Sequence, residues 1–137
     1  GGAALVVGLI LLVVLTILAV SGVFTSTMEL RMVRNSQSQE RAFQAAEVAI
    51  EDALANPVLS TSAPFNQGTL AVPNVPGDTY TYTLQFVGQT PLGTGMTGYS
   101  IGSAFNSYHF QVVATGNGPD SALANHTQAF YVIGPGS

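Results

Sequence analysis

The chain has 137 residues, enough for one modest domain and not two. Only 7% of residues are charged, there is no lysine, and the formal net charge is -4. Without a basic patch, nucleic acid is excluded as a partner; without cysteine, so are disulfides, thiolate metal sites and cysteine nucleophiles.

The first element is an apolar run. From Ala3 to Phe24 there is no charged side chain, and Thr16 and Ser21 are the only hydroxyls. At about 1.5 Å per residue this run makes a helix of roughly 33 Å, the hydrocarbon thickness of a bilayer. A cleaved signal peptide would bring a basic flank and a shorter core. Here the flank is missing and the helical pattern continues without a break, because no proline occurs before Pro57. One helix is therefore expected from about Ala3 to Ala55, roughly 75–80 Å long. Within it, Ser21 and Gly22 are the expected yield point, since glycine costs a helix interior about 1 kcal/mol relative to alanine.

The second half of this helix is amphipathic. Glu40, Gln44, Glu47 and Glu51 share one side; Phe43, Ala46, Ile50, Ala53 and Leu54 share the other, with Ala42 and Ala49 beside them. Such a stripe at period 3.6 suits a helix lying on a sheet. Phe43, Ala46, Ile50 and Leu54 are the expected helix–sheet contacts, with the large side chains supplying most of the buried area. Asn56-Pro57 ends the helix, because a residue before proline is pushed out of the α region.

Beyond Pro57 the period changes to 2. Residues 58–78 read as loop with one short strand near Thr69–Val72. The segment TYTYTLQFV puts Tyr80, Tyr82, Leu84 and Phe86 on one face. Gly88 to Asn106 holds five glycines and a proline and reads as a long surface loop. Ser107–Thr115 is a second strand with Tyr108, Phe110, Val112 and Ala114 toward the core. Gly116 to Asp120 reads as a turn, and a last strand runs from about His126 to Ile133, stopped by Gly134-Pro135-Gly136. The fold class is α+β: one long N-terminal helix packed on a small antiparallel meander. The expected organisation is an apolar helix over 1–27, its amphipathic continuation over 28–56, and a β-rich head over 57–137.

No segment points to catalysis. Glu40, Glu47 and Glu51 form a solvated or salt-bridged helix face with no histidine near them in sequence. Glu40 with Arg34 and Arg41 offers pairs between neighbouring copies. His109 and His126 read as strand-surface histidines, and Asn125-His126-Thr127 as a chance glycosylation sequon. Gly116 and Gly118 flank Asn117 without a following helix, which makes a turn and not a phosphate loop. No enzyme, metal or cofactor is expected.

An uncharged helix continuing as an amphipathic helix into a sheet is the arrangement of type IV pilins. The run GAALVVGLILLVVLTILAVSG, followed by TMELRMVRNSQSQERAFQAAEVAIEDAL, resembles the N-terminal region of PilX-type minor pilins. The most specific part is Arg41-Ala42-Phe43-Gln44-Ala45-Ala46-Glu47, with Met32 and Asn35 upstream; Gln128 to Pro135 is similar to the family's final strand. The resemblance implies a precursor cut by the prepilin peptidase, with Gly2 and Ala3 flanking the expected bond. It implies a subunit held in the bacterial inner membrane, then moved by an assembly platform into an extracellular pilus beside other pilin subunits. Leu5, Val7, Leu9, Leu12, Leu15 and Leu18 would then pack the filament core. Most pilins carry a glutamate at the fifth mature position to neutralise a neighbour's N-terminus. Leu5 or Val7 would stand there in this chain, which implies a tip-proximal, initiating subunit. A principal subunit of a homopolymeric filament, and a membrane-anchored binding domain that never polymerises, are the alternatives.

Overall fold

The computed structural model describes residues 1–92 and 105–136. Their order is one helix, α1 (Gly2–Ala55), then four strands, β1 (Phe65–Ala71), β2 (Thr79–Pro91), β3 (Phe105–Asn117) and β4 (Leu123–Pro135), with a single 3-10 turn at Pro119–Ser121. The strands form one antiparallel sheet in the order β1-β2-β3-β4, so the meander expected from period 2 is present. The fold is pilin-like α+β. Two compact units divide the chain, Gly1–Gln37 and Ser38–Ser137, and the division falls inside α1.

In the first unit every residue is exposed. Its threonine hydroxyls turn back onto the helix: Thr16, Thr25 and Thr27 donate to the carbonyls of Leu12, Ser21 and Val23 at 2.7, 3.1 and 2.9 Å. A hydroxyl satisfied within its own helix can lie in hydrocarbon without an orphaned polar group. Ser21 and Gly22 lie within the unbroken helix.

In the second unit the helix rests on the sheet through its smallest side chains. Ser38, Ala42, Ala45, Ala46, Ala49 and Ala53 are the buried residues of α1. Tyr80, Tyr82, Leu84, Phe110, Val112 and Ala114 meet them from β2 and β3, all buried. The alternation read from TYTYTLQFV and from Ser107–Thr115 therefore falls on the predicted face. Of the four expected helix contacts, Ala46 is fully buried and Ile50 packs at the margin of the core, while Phe43 and Leu54 are 49% and 43% exposed. The centre of the face is alanine because the backbones approach too closely for anything larger. The long side chains splay to its rim.

Gly116 shows how close that approach is. A Cβ there would overlap the Ala42 carbonyl oxygen and the Ala46 amide nitrogen, and would stand 2.9 Å from the Ala45 carbonyl carbon. At Gly118 it would stand 2.7 Å from the Ser38 carbonyl oxygen. Gly116 and Asn117 thus belong to β3, not to a turn: this glycine is a seat for the helix backbone. The turn itself is tighter, with Asp120 and Ser121 at φ 54° and 61° and Ala122 donating to the Pro119 carbonyl at 3.0 Å.

The strands are also longer than their turn residues suggest. β1 begins at Phe65 rather than near Thr69. β2 and β3 continue through Thr90↔Ser107 and Pro91↔Asn106, so both ends of the loop expected over 88–106 are strand; positions 93–104 of it lie outside the described residues. Gly88 sits where the register shifts past Phe86, a bulge that the sheet absorbs without ending. β4 starts at Leu123 and runs through Gly134, which lies under the Tyr108 ring, to Pro135, whose carbonyl accepts the Tyr108 hydroxyl at 2.6 Å.

Candidate functional site

Two surfaces stand out: the apolar part of α1 before Ser38, and the head packed on the part of α1 from Ser38 to Ala55. Leu5, Val7, Leu9, Leu12, Leu15 and Leu18 are between 56% and 69% exposed. They lie all round α1, together with Val6, Ile10, Leu11, Val13 and Ile17. A helix apolar on every side requires lipid or other helices as its surroundings. α1 is long and apolar enough to cross a membrane, and its most apolar window has no buried residue.

The head grips the helix with three polar ties. Arg41 donates from Nε and Nη2 to the two carboxylate oxygens of Asp78 at 2.9 and 2.8 Å, and from Nη2 to the Pro76 carbonyl at 3.3 Å. Asp78 is buried, so the fork–fork geometry holds a charge out of water. Ser38 donates to Asp120 at 3.2 Å, fixing the start of the packed helix to the β3–β4 turn. His126 Nδ1 lies 2.6 Å from Glu47 Oε1, with the Phe43 ring edge-on at 4.3 Å. None of these pairings was legible beforehand. Arg41 and Glu47 read as exposed charges, and His126 as a strand-surface residue. Arg41 is instead committed within its own chain, which removes it from the set offered to neighbouring copies.

A fourth contact lies at the other end of the packed helix. Tyr80 donates to Asp52 at 3.3 Å. Burial, and then the negative charge of Asp52, push the Tyr80 phenol above its ordinary value, and the same two causes raise Tyr82. Both favour the neutral phenol in the fold, so the folded chain binds more protons than the unfolded one above pH ~10. Stability is therefore full below that pH and falls as pH rises through the raised values. In thermal melts the midpoint should drop steeply above pH ~10, and Tyr80→Phe should flatten the drop while lowering the neutral-pH midpoint slightly.

Beyond the end of α1, Leu59, Ser60, Thr61 and Ser62 cross the sheet and leave a shallow cavity of about 410 Å³ over Tyr108, Phe110 and Val132. Its lining carries no charge. Among the described residues no cluster of His, Asp or Glu has the makings of a metal site. His109 pairs across to Tyr131, and Ala114 to His126, so the two histidines are well separated along the sheet.

A long apolar helix running onto an antiparallel meander is the arrangement of a type IV pilin. Residues 1–51 match the sequence profile described as PilX N-terminal, which supports a PilX-type pilin segment at this end of the chain. The matched stretch holds Gly2, Ala3, Leu5, Val7, Leu9, Leu12, Leu15, Leu18, Ser21, Gly22, Phe43, Ala46 and Ile50; it ends before Leu54 and before the sheet. No curated protein and no solved structure matches the chain.

Proposed function

We propose that the chain is a structural, non-catalytic subunit of a type IV pilus or related filament, acting in its assembly or initiation. The observation that carries this reading is the exposed apolar helix of a segment that matches the PilX N-terminal profile. Before assembly, lipid covers Leu5, Val7, Leu9, Leu12, Leu15 and Leu18; afterwards, the same positions on neighbouring helices do. Lipid tails and packed helices are similarly apolar, so the exchange leaves the hydrophobic term nearly unchanged and is decided by packing. In this reading the prepilin peptidase cuts between Gly2 and Ala3, the inner-membrane platform drives extraction, and the head is displayed on the cell surface.

No carboxylate occurs before Glu29. A buried ammonium without a partner costs several kcal/mol, and this chain's apolar segment offers none to a neighbour. That supports a place at the end of a filament, where no subunit lies above to be neutralised. The uncharged, hydroxyl-rich strands favour a second reading, in which the chain is the main subunit of a homopolymer. Filaments sheared from cells and labelled with antibody against the head separate the two. Label confined to filament ends, with loss of filaments on deletion, is the expected result. Label along the whole shaft would replace the initiating role with the homopolymer, and no label on any filament would remove both.

Two substitutions probe the helix. Leu12→Glu places a carboxylate mid-segment, at a cost of about 3 kcal/mol in the membrane, and is expected to reduce filament yield at least tenfold. Gly22→Ala stiffens the yield point by about 1 kcal/mol; it should lower the yield several-fold without changing the amount of subunit in the membrane.

A further inference from the structure

Among the described residues the sheet ends in two strands that are paired on one side only: β1 to β2, and β4 to β3. Long regular edges are normally blunted by lysine, by proline, by a bulge or by a covering element, because unpaired amides and carbonyls template another strand. β4 has thirteen residues, pairs with β3 without a register shift, and carries no Lys, Arg, Asp or Glu. Its histidine, His126, is engaged by Glu47 of α1. Proline appears only at its last position, and Tyr131, Val132 and Ile133 are exposed at 64%, 39% and 52%. β1, Phe65–Ala71, is shorter and carries a register shift between Gln67 and Leu70, but it too is free of charge, so the two edges meet without repulsion.

We propose that β4 of one copy pairs with β1 of a second copy in the same orientation, extending the sheet from subunit to subunit. Strand directions select this partner. The meander has four strands of alternating direction, so β1 and β4 run opposite ways. A second copy in the same orientation therefore presents its β1 antiparallel to β4, and the alternation continues. Antiparallel pairing of β4 with another β4 needs instead a two-fold axis perpendicular to the sheet. That axis reverses the helical segment from Ser38 to Ala55, so the two chains would run up to their sheets from opposite ends. Copies whose chains enter their sheets from the same end pair unlike edges instead. The selection rests on the homopolymer reading above, in which many copies share one membrane. A pairing of unlike edges leaves a free β4 at one end and a free β1 at the other, so it propagates and does not close into a dimer.

The absence of cysteine makes the test direct. Full-length protein in its native membrane should carry one cysteine at Asn66, Thr69 or Ala71 and one at Thr127, Ala129 or Tyr131, all exposed positions. After mild oxidation, at least one double variant is expected to give a ladder of dimers, trimers and higher species that thiol reagent collapses, while every single variant stays monomeric. Adding Val132→Lys to the edge should abolish the ladder. A ladder from none of the double variants, or a dimer from a β4 single variant alone, overturns the proposal. Electron micrographs of the same cells read the filament separately: filaments without a ladder remove the edge pairing and keep the filament. A ladder without filaments keeps the pairing and removes the filament reading.

Discussion

Replacing Gly116 with alanine is expected to destabilise the head by about 3 kcal/mol, and with valine by more. One methyl group is enough, because the space it needs is occupied by backbone. The Ala42 carbonyl, the Ala45 carbonyl carbon and the Ala46 amide all lie inside contact distance of the new carbon. No rotamer relieves that overlap. Either the helix lifts from β3, opening gaps along Ala42, Ala46, Ala49 and Ala53, or β3 bows and strains its ladders to β2 and β4. For a domain of this size, each kcal/mol moves the midpoint by about 4–8 °C, so Gly116→Ala should lower it by roughly 15 °C in detergent. Gly68→Ala is the control: nothing lies within 4 Å of its new carbon, and the shift should stay within about 0.5 kcal/mol. Equal effects at the two glycines would mean that close approach is not what Gly116 provides.

Removing Arg41 should cost nearly as much, for an electrostatic reason. Asp78 is 3% exposed, and its carboxylate is held by two donors of the guanidinium. Arg41→Ala leaves that charge buried without its partner, for which about 3–5 kcal/mol is usual. Arg41 is itself 41% exposed, so water can reach part of the vacated site, and about 2–3 kcal/mol is the better expectation. Asp78→Asn alone should be milder, because the freed guanidinium can turn to solvent. The pair should be strongly non-additive: Arg41→Ala with Asp78→Asn is expected to recover at least 1 kcal/mol over Arg41→Ala alone, read from denaturant unfolding as a double-mutant cycle. Arg41→Lys keeps the charge and loses the fork, so it should fall between wild type and alanine.

Both predictions turn on contacts that local pattern does not contain. The helix wheel correctly separates Glu40, Gln44, Glu47 and Glu51 from the apolar side, yet it cannot say which narrow sector of that side touches the sheet. By size, Phe43, Ile50 and Leu54 are expected to supply most of the buried area, whereas the contact centre selects for smallness, and only Ala46 and the neighbouring alanines fit there. Gly88 and Gly134 read as strand breakers by composition. In the sheet one takes a bulge and the other a place under Tyr108, because pairing on both sides of β3 outweighs the local preference. Arg41 and Asp78 are 37 positions apart, and Glu47 and His126 are 79 apart; no periodicity links them.

By itself, the sequence determined whatever depends on repeating local chemistry. An uncharged run long enough for a bilayer, a helix uninterrupted until Pro57, the alternating faces of β2 and β3, and the PilX-type N-terminal motif all follow from spacing and residue type. Only the tertiary structure decided what depends on distance in space. It sets the helix close enough on Gly116 to require alanines, commits Arg41 to Asp78 within one chain, and places β1 and β4 at the two edges of the sheet that the described residues form. The physical reason is that period reports which side of an element is apolar, whereas depth of approach and pairing are properties of two elements at once.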